Sequence, residues 1–152
     1  MTRKLMAGLV VVAMVGVLAG AAIAQFAKTE DAVKYRQSAM FLIGQHFTRL
    51  GAVVKGEAPY DKSAFEKNAV VVDTLYRLPL VEAFMVAGSD KGSGMKSEAL
   101  AEKDKFTQMH NATEAELAKL VVAAKGGDLN AIKPQFGATG GTCQGCHKAY
   151  RK

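Results

Sequence analysis

The sequence predicts an all-α protein, an antiparallel up-down four-helix bundle. Two observations predict it. Apolar residues recur every three or four positions through long stretches, which is the period of a helix with one buried face. The breaks between those stretches are short and carry turn and capping residues. Four helices of about 20 residues joined this way pack most simply as a bundle whose neighbours run in opposite directions.

The first helix is expected from Thr29 to Val54. Thr29 is placed to cap it, with Glu30 and Asp31 favourable in the first turn. Its apolar stripe is Val33, Met40, Ile43, Phe47, Leu50 and Val54. Arg36 falls on the same stripe, and a charge on a core stripe is costly unless it is paired. Gly56 to Tyr60 is a turn. Asp61 then caps a second helix reaching Leu78, where Pro79 stops it. Its apolar positions are Phe65, Ala69, Val72, Leu75 and Tyr76.

Ala87 to Gly94 reads as a flexible loop. Ser97 and Glu98 open the third helix, with Leu100, Phe106, Met109, Leu117, Leu120, Val121 and Ala124 as its apolar face. Gly126 and Gly127 end it. Asp128 opens the fourth helix, which runs to the C-terminus. Pro134 lies inside it, followed by Gly137, Gly140 and Gly141. Proline removes a hydrogen bond and clashes with the preceding turn, so a kink or a late start is expected.

The chemistry sits at the far end of that helix, in Cys143-Gln144-Gly145-Cys146-His147. A C-x-x-C-H run is the attachment signature of a c-type haem. Two thiols one helical turn apart can form thioethers with the two vinyl groups of one haem. The imidazole of the next residue then points at the iron from the same side. Other readings of the cysteines fit less well. A thioredoxin-like pair would follow a strand, and none is evident nearby. A structural zinc site needs four ligands, whereas His46 and His110 lie far away in sequence and read as solvated. A disulfide would leave His147 unexplained.

Met1 to Ala24 reads as a cleaved secretory signal. Arg3 and Lys4 precede an uncharged apolar run, and Ala22-Ile23-Ala24 is a small-x-small cleavage site. Export together with C-x-x-C-H implies the periplasm. Residues 25–152 then form one domain. The formal charge of +6 falls when Arg3 and Lys4 leave, and the remaining lysines are scattered. That pattern does not favour nucleic-acid binding, which needs a clustered basic face.

Three stretches carry a family resemblance: Asp31 to Met40, Val53 to Glu57, and Cys143 to Arg151. Through them the chain resembles cytochrome c′ and the wider class II cytochromes c, over essentially all of residues 25–152. The resemblance implies one haem c near the C-terminus of the bundle, held by Cys143 and Cys146, with His147 as the proximal iron ligand. It implies haem propionates beside Arg36 and Gln37, and Arg151 beside the proximal imidazole. It places Met40 on the distal face, and there two alternatives stand. In cytochromes c′ a bulky apolar residue at this position leaves the iron five-coordinate, high-spin and open to NO and CO. In low-spin relatives a methionine here is the sixth ligand, and His/Met ligation favours electron transfer. The expected function is therefore gas binding, one-electron transfer between periplasmic redox partners, or both. An enzyme is not expected, because no acid, base or nucleophile accompanies the haem motif. The resemblance also implies a homodimer through helices one and two, where Leu42 and Val53 lie off the main stripe.

Overall fold

Four long helices carry the chain, as the periodicity predicts. The computed structural model describes residues 26–152. The long helices are α1 (Thr29–Lys55), α2 (Lys62–Tyr76), α5 (Lys103–Gly126) and α6 (Leu129–Tyr150). Two short helices, α3 (Leu80–Phe84) and α4 (Glu98–Ala101), lie in the connection between α2 and α5. The expected signal segment, residues 1–24, lies outside the described residues. Among the described residues, no helix is long and apolar enough to cross a membrane.

Capping chemistry sets most of the ends. Asp61 accepts a hydrogen bond from the Ala64 N–H at 2.7 Å, and Asp128 accepts one from the Asn130 N–H at 2.9 Å. Gly56 ends α1 in the left-handed region at φ +79°, and its N–H bonds to the carbonyls of Ala52 and Val53. Thr29 does not cap α1 as expected. It is already the first helical residue, and Lys28 before it supplies no side-chain cap. Glu30 and Asp31 still oppose the helix dipole in the first turn.

The middle of the chain departs from expectation twice. Pro79 ends α2 early, at Tyr76, but then serves as the N-cap of α3. The expected third helix is broken at Glu102, whose backbone turns to φ −104°, ψ 43° between α4 and α5. That turn brings its carboxylate to accept a hydrogen bond from the Tyr150 hydroxyl at 2.9 Å. By contrast, the late start expected near Pro134 does not occur. One continuous helix runs from Leu129 to Tyr150. It is held on both sides of the proline: Ile132 is fully buried, and the Thr139 hydroxyl donates to the Glu116 carbonyl on α5 at 3.2 Å.

Neighbours in the chain are neighbours in space: α1 packs on α2, α2 on α5, and α5 on α6. The α1–α6 contact that closes the ring is the slightest of the four. A core of Ile43, Leu50, Phe65, Val72, Leu80, Leu117, Leu120 and Ile132 fills the bundle. Toward one end α1 and α6 meet through the stacked rings of Phe47 and Phe136, 4.4 Å apart. Gly51 lets Phe136 in; a Cβ there would lie 3.3 Å from the ring. A second apolar cluster, Met95, Ala99, Phe106 and Tyr150, forms where α6 ends.

Candidate haem site

A cavity of about 550 Å³ opens at the end of the bundle where α1 starts and α6 finishes. All seven residues singled out in the sequence line it: Arg36, Gln37, Met40, Cys143, Cys146, His147 and Arg151. They come from α1 and from the end of α6, brought together because an up-down bundle puts its first and last ends side by side.

The α6 wall carries the reactive groups. Cys143 and Cys146 are free thiols, each partly buried. Burial pushes both thiols above their ordinary pKa, and Cys143 adds to the effect at Cys146. His147 is held below its ordinary pKa, first by burial and then by the charge of Arg151. Both favour the neutral imidazole, the form that binds a metal. The α1 wall is mostly apolar, with Met40, Phe41, Ile43 and Phe47 lining the cavity and Gly44 leaving open space between them.

The rim is held by a small polar network. Arg36 is 2% exposed, and the partner its stripe position demands is the 83–93 segment. Its Nη1 donates to the Ala83 carbonyl at 3.1 Å and the Ser89 hydroxyl at 2.8 Å. Its Nη2 donates to the Ser89 carbonyl and, at 3.0 Å, to the Ser93 hydroxyl. The guanidinium also lies 4.9 Å from the Phe84 ring centroid. Burial lowers the Arg36 pKa, and Asp90 opposes the shift. The segment read as a flexible loop is thus pinned to α1, with Ser89 fully buried. Its other end is tied to the C-terminus: the Lys96 N–H donates to the Tyr150 carbonyl at 2.8 Å, and the Lys152 N–H to the Gly94 carbonyl at 2.9 Å.

Tyr76 and His110 are among the lining residues outside those seven. Tyr76 closes the inner wall from α2, near enough to both cysteines for their charge, behind its own burial, to raise its pKa. His110, expected to be solvated, is 7% exposed and stacked on Tyr76, ring centroids 4.5 Å apart. The signal was present in the sequence. Phe106, His110, Thr113, Leu117, Leu120 and Ala124 step by threes and fours along the buried face of α5. His46 is half-buried and shares a 2.8 Å hydrogen bond with Asn68, away from the cavity.

These residues fit a haem. The cavity is large and largely apolar, with two unoxidised thiols one turn apart, a neutral imidazole beside them and a buried histidine lacking any polar partner. Known proteins agree. The cytochrome C′ family model matches residues 31–151. Cytochrome c′ of Alcaligenes xylosoxydans xylosoxydans is 44% identical over 128 residues, covering 84% of this chain and 98% of its own. The structure of cytochrome c prime from Shewanella frigidimarina superposes with a TM-score of 0.80 at 39% identity, covering 84% of this chain and 98% of its own. The nitric oxide complex of a variant of cytochrome c prime from Alcaligenes xylosoxidans superposes with a TM-score of 0.77 at 42% identity, again covering 84% and 98%. With the haem-attachment motif on the last helix and a four-helix bundle closed around it, the chain belongs to the cytochrome c′ family.

Proposed function

We propose that this is an exported, periplasmic haem protein whose five-coordinate iron binds small gases, NO and CO, and exchanges single electrons with redox partners. Cys143 and Cys146 would hold one haem c by thioether bonds, and His147 would be its axial ligand. When bound, the haem supplies a redox-active iron with a face for a diatomic ligand. The chain's own residues do the rest. The two thiols of the C-x-x-C pair would tie the haem to α6. The His147 imidazole, favoured in its neutral form, would offer the iron a lone pair. Met40, Phe41, Ile43 and Phe47 on α1 keep water from the other side and present no charged group to it. Arg36 holds the rim segment in place; its four Nη donors are engaged there, which leaves Nε–H for a propionate. Gln37 and Arg151 are exposed at the mouth, where they can meet the propionates and the proximal side. The reading is of a binder and carrier rather than an enzyme.

The observation that carries this reading is the one cavity that the apolar α1 wall, with Met40, shares with the cysteines and His147 of α6. The nitric oxide complex of a related protein supports the choice of ligand. A second reading keeps Met40 as the sixth ligand of a low-spin electron carrier, because its thioether lines the same cavity. Absorption spectra of the purified protein, ferric and ferrous, with and without NO, separate the two. A high-spin ferric spectrum with a ready NO adduct supports the first. A low-spin spectrum with a methionine–iron charge-transfer band, lost in Met40→Ala, replaces it with the second.

A further inference from the structure

The cavity holds a polar residue that the proposed function does not use. His110 on α5 is 7% exposed, and neither Nδ1 nor Nε2 has a hydrogen-bond partner. Burial pulls its pKa below the ordinary value, against Glu114, Asn111 and Glu82, which favour the cation. A buried polar group without a partner is costly, and native structures rarely keep one unexplained. The ring is not adrift. It stacks on Tyr76 at 4.5 Å and 17°, so its plane is set and its edge borders the cavity. A neutral imidazole in this position has one N–H to give.

We infer that His110 is a hydrogen-bond donor to an acceptor that enters the cavity with the haem. The acceptor is either a carboxylate of the haem itself or a small ligand at its iron. Both offer an oxygen or nitrogen lone pair to an N–H in an apolar enclosure, where such a bond is strong. The assignment deepens the haem reading and rests on it.

The test compares wild type with His110→Phe and His110→Gln, all as haem-loaded protein. Phenylalanine keeps a flat ring for Tyr76 and removes both nitrogens; glutamine keeps a donor. The readouts are the thermal midpoint of the ferric protein, the imidazole N–H signal by nitrogen-15 NMR, and the release rate and C–O stretch of the ferrous CO complex. If the acceptor belongs to the haem, wild type shows a slowly exchanging imidazole N–H without added ligand, and His110→Phe melts lower. If it is the ligand, His110→Phe releases CO about 3- to 10-fold faster, the range a single hydrogen bond commands. Its C–O stretch also rises, and His110→Gln restores both. If His110→Phe melts as high as wild type or higher, and CO release and stretch are unchanged, the nitrogens are true orphans and the inference is overturned. A lower midpoint without a protected N–H in wild type reports overpacking by phenylalanine, and with CO unchanged it overturns the inference too. A preparation without haem absorbance fails the haem reading itself, whereas loaded protein indifferent to these variants fails only this one.

Discussion

Arg36 shows how a single side chain can be both a defect in a pattern and the anchor of a site. It interrupts the apolar stripe of α1, yet it is 2% exposed and makes four hydrogen bonds to a segment 47 to 57 residues away. Truncating it strips the Ala83 carbonyl of its side-chain donor and leaves the Ser89 carbonyl only the Ser93 hydroxyl. Arg36→Ala is expected to lower stability by about 3 kcal/mol in a urea titration of the haem-loaded protein. Arg36→Lys should recover only part of that, since an ammonium cannot repeat the planar fork. His110 makes a prediction of its own about acid. Burial lowers its folded pKa below the ordinary value near 6.5, so the unfolded chain binds the proton more readily. Its neutral form therefore supports the fold fully above about pH 6.5, and that support is lost as pH falls toward the folded pKa. Thermal midpoints measured from pH 8 down to pH 5 should fall more steeply for wild type than for His110→Phe. Equal slopes would mean that the imidazole takes its proton without disturbing the fold.

At the scale of the helix, identical substitutions should carry opposite signs. Gly56 closes α1 at φ +79° with open space around it, so Gly56→Ala meets only backbone strain and should destabilise by about 1 kcal/mol. Gly137 sits within α6, also with open space, and Gly137→Ala should stabilise by about 1 kcal/mol. Chemical denaturation of the two variants side by side checks both. Helix ends governed by such local chemistry were legible in the sequence: Asp61, Asp128, Gly56 and Gly127 all act where their types suggested. Seven of the cavity's lining residues were legible for other reasons: the five-residue motif gave Cys143, Cys146 and His147, bundle topology brought Arg36 and Met40 to them, and the family resemblance supplied Gln37 and Arg151. What stayed hidden depends on distant partners. The break at Glu102 answers to Tyr150, and the order of the 87–94 segment answers to Arg36. The unbroken course of α6 through Pro134 reflects tertiary packing that outweighs a local preference. His110 was missed by following Met109, one position off the α5 face that Phe106 and Leu117 define.

The whole molecule presents one more surface that its own core does not use. A shallow groove runs between α1 and α2, lined by Tyr35, Ala39, Leu42, Leu75 and Leu78, with Asp31 and Lys34 at its edge. Leu42 is 44% exposed. Apolar side chains gathered this way, beside charges of both signs, suit a self-complementary contact between two copies, because a two-fold axis pairs Asp31 of one with Lys34 of the other. The homodimer that the family resemblance implies would form here, on residues other than those that line the haem cavity. Sedimentation of the haem-loaded protein at micromolar concentration should give a dimer. Leu42→Glu places a carboxylate in the groove and should yield monomers with the haem spectrum unchanged. Val122→Glu is the control: Val122 is 70% exposed on α5, outside the groove, and the substitution should leave the dimer intact. A monomeric wild type would remove the proposal. A dimer that survives Leu42→Glu but not Val122→Glu would move the interface to α5, and with it the route by which a redox partner reaches the haem.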